Sequence, residues 1–169
     1  FDRHRANGTV HPVIAELGYS FVPFQHEMMN EWRVNLKGIT YLHPETNLLL
    51  YGAVDDIWQD AQGKLVVVDY KATARSQPID ALTYASYHNS YRRQMEFYQW
   101  LLRQNGFDVS DKGYWLYATA RNDTDDFGQK LVFDSRLIEH SGDTNWIENT
   151  IFNLKKALND VGLPAPGVD

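Results

Sequence analysis

Apolar residues fall into runs of two kinds along the 169-residue chain, and the spacing within each run predicts an element. Asn47 to Trp58 is dense in apolar and aromatic residues. Lys64 to Lys71 reads KLVVVDYK, a continuous apolar run as in a strand covered on both faces. Gly63 lies between them in QDAQGK, so the pair predicts a hairpin with a loop of a few residues. Upstream, GITYLH (Gly38 to His43) is expected to add an edge strand. Ala72 to Asn89, with Thr73, Ser76, Pro78, Thr83 and Ser86, reads as a loop.

Helical spacing follows. From Ser90 to Gly106, Tyr91, Met95, Tyr98 and Leu102 make one stripe, Ser90 suits the N-cap and Asn105-Gly106 the stop. Gly113 to Ala120 predicts a strand and Lys130 to Phe133 another. A last helix is expected from about Thr144 to Asp160, capped by Asp143, with Trp146, Ile151, Leu154 and Leu158 inward. Near the start, His11 to Gly18 predicts a short helix with proline in its first turn and glycine as its stop. His26 to Gly38 predicts another, with Met29, Trp32 and Leu36 at helical spacing. The order of helix, strands, helix, strand, strand and helix indicates an α/β (α+β) chain, with one central mixed β-sheet flanked by helices.

Length favours a single domain over residues 1–169, and 43% hydrophobic content makes it globular rather than disordered. No apolar run is long enough to span a bilayer, and no signal-peptide pattern appears. Cysteine is absent, which excludes disulfides and cysteine-ligated metals from this chain and suggests a cytoplasmic protein. A start on Phe1 and an end at PAPGVD suggest a piece of a longer chain. The net charge of −6, from 16 basic and 22 acidic residues, argues against a broad basic surface for nucleic acid. A local groove is still compatible with it, and a site for divalent cations needs carboxylates of its own.

Candidate chemistry concentrates in YGAVDDIWQDAQGKLVVVDYKAT, Tyr51 to Thr73, where acids and a lysine interrupt core-like sequence. Asp69 and Lys71 share a strand face. A turn centred near Gln62 sets Asp55 opposite Asp69 and places Asp56 opposite Val68 on the other face; a slip of one residue exchanges the two aspartates. Two adjacent carboxylates repel unless a cation lies between them, and oxygen ligands suit Mg2+ or Mn2+. The Tyr70 carbonyl offers a further oxygen. Lys71 does not ligate magnesium as an ammonium, but it can stabilise developing negative charge or position a water. Two acids, a metal and a lysine describe metal-assisted phosphodiester hydrolysis. The bland alternative is an ion pair at an ordinary strand end; against it, a central apolar strand ending in charges usually ends in a cleft.

GAVDDIW, VVVDYKAT and QMEFY together resemble the PD-(D/E)XK nuclease superfamily, with the nearest likeness to its RecB-like and CRISPR-associated exonuclease branch. Gly52 and Asp55 match a Gly-x-x-Asp strand, Asp69, Tyr70 and Lys71 an Asp/Glu-x-Lys strand, and Gln94 and Tyr98 a Gln-x-x-x-Tyr helix. The likeness covers Gly52 to Tyr98, and the rest by element order. It implies a restriction-endonuclease-like core, Asp55 and Asp69 as metal ligands, Lys71 as the catalytic lysine, and Gln94 and Tyr98 beside the active site. Arg92 and Arg93 are candidates for phosphate contact, although an exposed helix face explains them equally.

That branch often carries an upstream metal-binding histidine and glutamate; His11 and Glu27 are the candidates here. His4, His26, His43, His88 and His140 read as surface or packing residues. RNDTDDFG (Arg121 to Gly128) lacks calcium-loop spacing and reads as a turn. The expected function is a Mg2+- or Mn2+-dependent DNA phosphodiester hydrolase, an exonuclease in preference to an endonuclease, acting on single- or double-stranded DNA. The competing expectations are a non-catalytic nucleic-acid- or protein-binding module that keeps the fold, and a structural domain of a larger assembly.

Overall fold

The computed structural model describes residues 1–77, 79–83, 86–121 and 131–162. Two short helices come first, α1 (Asp2–Asn7) and α2 (Pro12–Glu16). His11 caps α2, its Nδ1 accepting from the Val13 N–H at 3.2 Å, and Gly18 follows the helix at φ 84°. After β1 (Val22–Pro23) and the single turn α3 (Met29–Trp32) come β2 (Ile39–His43) and β3 (Leu48–Gly52). The chain continues with β4 (Asp56–Gln59), β5 (Leu65–Ala74) and the long helix α4 (Ser86–Gln104). It ends with β6 (Lys112–Ala120), β7 (Phe133–Ser141) and α5 (Asn145–Asn159).

Five strands form a mixed sheet in the order β1-β4-β5-β6-β7, parallel between β5 and β6 and antiparallel elsewhere. This is the central mixed sheet with flanking helices that the residue pattern predicts. β5 is its middle strand, which explains the uninterrupted apolar run. On one face Val66 and Val68 pack with Ile14, Trp58 and Tyr114, beneath α1 and α2. On the other, Leu65 and Val67 join Met95, Tyr98, Leu101 and Leu102 of α4 and Ile147 and Ile151 of α5.

Several elements depart from the sequence-based expectations. Asn47 to Trp58 is two strands, not one: β3 pairs with β2 in a separate two-stranded sheet, and β4 alone pairs with β5. The chain leaves the main sheet at Ala53 to Asp55, where the buried Val54 N–H donates to the Trp32 carbonyl at 3.0 Å. GITYLH therefore pairs with β3 rather than bordering the main sheet. In the segment from His26 to Gly38 only Met29–Trp32 is α-helical; Leu36, at φ 69° and 85% exposed, turns the chain outward.

Pairing with β6 carries β5 on to Ala74, and α4 starts at Ser86, so Ala72 to Asn89 is not all loop and Ser90 lies inside the helix. β7 spans Phe133–Ser141 rather than 130–133; its sequence DSRLIEHS is an edge pattern in which Ile138 is buried and most other positions stay open. Thr144 stands at the N-cap of α5, while the Asp143 carboxylate accepts from the Asn145 N–H at 2.9 Å. Ile147 and Ile151 face the core, but Leu154 and Leu158 are exposed, because the last turns of the helix run beyond the core. The acidic segment 122–128, read as a turn, lies outside the described residues.

Candidate active site

The β4–β5 ladder pairs Asp56 with Val68, the register set by a turn centred on Gln62. Asp55, exposed just before β4, therefore lies across from Asp69, and its Oδ2 accepts from the Tyr70 N–H at 2.8 Å. An extended residue sends its N–H and C=O out on the same edge. The Tyr70 carbonyl thus faces the edge that Asp55 occupies, past the end of β4.

Asp69 is 5% exposed and ion-pairs through Oδ2 with the Lys71 ammonium. Burial pushes the Asp69 carboxyl above the usual carboxylate range; Lys71 opposes that rise and the nearby Asp55 charge adds to it. Although ion-paired, the buried Asp69 Oδ2 accepts no hydrogen bond of normal geometry from the described residues. Lys71 Nζ also stands 4.5 Å from the centre of the Tyr91 ring, a cation–π contact that positions it over α4.

Asp56 points through the other face. It is 1% exposed and accepts from Arg5 Nη2 at 2.5 Å, the Ile57 N–H at 2.8 Å, Trp58 Nε1 at 3.1 Å and the Tyr70 hydroxyl at 2.5 Å. This carboxylate fastens α1 to the sheet. Burial, and then the Asp56 charge, push the Tyr70 phenol well above its ordinary value.

From α4, Gln94 Nε2 donates to the Tyr98 hydroxyl at 2.9 Å. Tyr98 is buried, and its pKa is raised chiefly by that burial, with Gln94 opposing and the charges of Asp69 and Asp55 adding. The phenol therefore stands within the field of both carboxylates. Gly52 makes this approach possible: a Cβ there would lie 2.6 Å from Tyr98 Cε1. Tyr91, Gln94 and Tyr98, at i, i+3 and i+7, line one side of the helix. Tyr91 reads as a core residue in the sequence, and no sequence signal gives its contact with Lys71.

The other candidates lie apart from this cluster. Arg92 donates to Asn89 Oδ1 at 2.9 Å and to the Leu82 and Thr83 carbonyls at 3.2 and 3.0 Å, holding the segment before α4. Arg93 is exposed in a groove with Glu96, Trp146 and Thr150 of the α4–α5 side. His11 stacks on Phe1, which in turn stacks on Trp58 and Tyr70, so it lies on the face opposite Asp69. Glu27 is exposed before α3. His43 packs between Thr46 and Glu148, and His140 against Glu96. A cavity of about 650 Å³ near the C-terminal end of α4, lined by residues including His26, Trp32, Tyr51 and Phe107, holds none of the motif carboxylates. Chemistry rather than volume therefore locates the site.

No group of three or more His, Cys, Asp or Glu able to hold a metal occurs among the described residues. Two carboxylates and a carbonyl still suit magnesium, which takes one or two carboxylates and completes its shell with waters and substrate phosphate oxygens. The buried Asp69 carboxylate, whose only charged partner among the described residues is Lys71, and its repulsion with Asp55 fit that donor set.

A family model described as the PD-(D/E)XK nuclease superfamily matches residues 2–158. The chain belongs to the PD-(D/E)XK nuclease superfamily. The mixed sheet flanked by helices is the restriction-endonuclease-like architecture of that superfamily, whose members are usually phosphodiester hydrolases that use divalent metals such as Mg2+. No curated protein and no solved structure gives a match. Within this PD-(D/E)XK chain no described helix is long and apolar enough to cross a membrane.

Proposed function

We propose that this PD-(D/E)XK chain hydrolyses DNA phosphodiester bonds with Mg2+ or Mn2+, as an exonuclease of RecB-like type. The observation that carries the reading is the convergence of Asp55, Asp69 and Lys71 midway along the central strand, where its pairing with β4 stops, with Tyr98 beside them. In this reading Asp55, Asp69 and the Tyr70 carbonyl hold the cation. Bound there, it would neutralise phosphate charge as a Lewis acid and lower the pKa of the attacking water, easing loss of its proton.

The protein's own groups do the remaining work. Lys71, restrained by Asp69 and the Tyr91 ring, directs its ammonium at the charge that develops on the phosphoryl oxygens and orients the attacking water. Gln94 fixes the Tyr98 hydroxyl, and the pair limits how the carboxylates and the strand are placed. Arg93 is assigned to phosphate contact away from the cleaved bond. Arg92 positions the segment before α4 through its carbonyl contacts. The exonuclease preference rests on the Gln94–Tyr98 pair, and a cytoplasmic location belongs to the same proposal.

A second reading, a non-catalytic binding module, is favoured by one observation: no third His, Asp or Glu joins the two carboxylates among the described residues. Degradation of end-labelled single- and double-stranded DNA in manganese separates the two. The enzyme reading expects release of label by the wild type and none by Lys71→Ala of equal folded content. Intact label with both proteins, while DNA binding persists, selects the module.

A further inference from the structure

Beyond Lys71 the described strand continues to Ala74, and a small cavity of about 180 Å³ opens beside it. Its lining includes Lys71, Thr73, Arg75, His88, Tyr91 and Tyr117. The proposed catalytic lysine thus shares the cavity with a second cation, an imidazole and the hydroxyl-bearing Thr73, Tyr91 and Tyr117. The volume is below that of ordinary small-molecule sites, about 300 to 1,000 Å³, and suits a single phosphate group rather than a whole nucleotide. His88 is 4% exposed, and its Nδ1 accepts from the Thr83 N–H at 3.0 Å, which leaves the ring proton of the neutral form on Nε2. The first turns of α4 supply His88 and Tyr91, so the positive end of that helix dipole lies at the cavity.

Thr119 is 1% exposed, and its hydroxyl has no hydrogen-bond partner among the described residues. It pairs in register with Thr73 and follows Tyr117 by two residues, which puts it on the cavity's face of the sheet. Thr119 is not one of the residues lining the cavity, so it stands beside the pocket, against Thr73, rather than at its surface.

We infer that Arg75 and Thr73, together with Lys71, form a subsite for a nucleic-acid phosphate adjoining the scissile bond, an inference that rests on the nuclease reading above. Arg75 is the principal recognition residue, exposed at the rim and tied to the sheet through its backbone N–H, which donates to the Ala120 carbonyl at 3.2 Å. The phosphate belongs either to the end of a strand or to its interior, and the test separates the two.

Binding of fluorescent single-stranded oligonucleotides, with and without a terminal phosphate, is measured in EDTA across a salt series for wild type, Arg75→Gln and Arg75→Lys. Arg75→Gln is expected to weaken binding about tenfold and to lower the salt slope by about 0.7, with partial rescue in Arg75→Lys. A preference for phosphorylated ends that disappears in Arg75→Gln assigns a terminal phosphate; equal loss on both ends assigns an internal one. Inorganic phosphate is titrated in parallel and followed by NMR. It should shift the Thr73 and Arg75 amides in the wild type, and much less in Arg75→Gln and in the near-isosteric Thr73→Val. Unchanged affinity and slope in Arg75→Gln, with no phosphate-dependent shifts, overturns the subsite. Wild-type protein that shifts with phosphate but never cleaves DNA would instead overturn the nuclease reading and leave the subsite standing.

Discussion

Replacing Gly52 with alanine tests how the strand motif and the helix motif depend on one another. A Cβ at this position would lie 2.6 Å from Tyr98 Cε1, 3.0 Å from Cδ1 and 3.2 Å from Leu101 Cδ1. Attractive carbon contacts sit at about 3.5 to 4.0 Å, so the ring must retreat by roughly 1 Å. Gly52 is not in a left-handed conformation, so alanine brings no backbone strain and the whole cost arises from space. Overpacking of this size costs about 1 to 3 kcal/mol. The displaced phenol also loses its alignment with Gln94, and a 1 Å misplacement near a reacting centre lowers rate by about 100-fold. The assay is urea unfolding of wild type, Gly52→Ala, Tyr98→Ala and the double variant. Tyr98→Ala alone should cost about 3 to 5 kcal/mol. It also opens room for the new methyl, so the double variant should be no less stable than Tyr98→Ala. Additivity within about 0.5 kcal/mol would refute the reasoning, as would a Gly52→Ala protein as stable as the wild type.

Three other outcomes follow from the packing and charge of the fold. Arg5→Met strands the Asp56 carboxylate in the interior and should destabilise by about 3 to 5 kcal/mol; a loss below about 1 kcal/mol in thermal unfolding contradicts the assigned role of that ion pair. Glu96→Ala removes the acceptor for Trp146 Nε1 at 2.7 Å and His140 Nε2 at 2.8 Å, loosening α5 from α4; it should cost about 2 to 3 kcal/mol, and an unchanged melting temperature contradicts it. The Arg33 guanidinium holds the exposed Asp2 carboxyl below its ordinary 3.8, so this pair adds stability above that pH and loses it as pH falls further. An NMR titration should show the Asp2 midpoint rising in Arg33→Gln, and an unmoved midpoint rejects the linkage.

What the sequence reveals differs from element to element. Leu65 to Val68 announces a strand covered on both faces because an interior strand has no polar side to show. The symmetry of the turn about Gln62 gives the register, and with it the opposite faces of Asp55 and Asp56. The split of Asn47 to Trp58 is hidden, because the segment reads throughout as apolar and aromatic; at the break the Val54 N–H bonds the Trp32 carbonyl, a partner more than twenty residues upstream. β7 is hidden for the reverse reason: at the sheet edge its side chains are half-covered, and DSRLIEHS shows little period. Leu154 and Leu158 keep helical spacing but run past the core, and periodicity cannot show where a core ends. The cation–π seat of Lys71 and the subsite beyond it depend on β5 extending through Ala74 and α4 starting at Ser86, both within Ala72 to Asn89, a segment whose threonines and serines read as loop.

Anomalous diffraction from crystals soaked in manganese tests the central claim most directly. The account predicts one density peak bounded by the Asp55 and Asp69 carboxylates and the Tyr70 carbonyl, absent from Asp69→Asn crystals of unchanged fold. Saturating manganese that leaves this position empty in the wild type, with Asp55 still bound to the Tyr70 N–H, would contradict it.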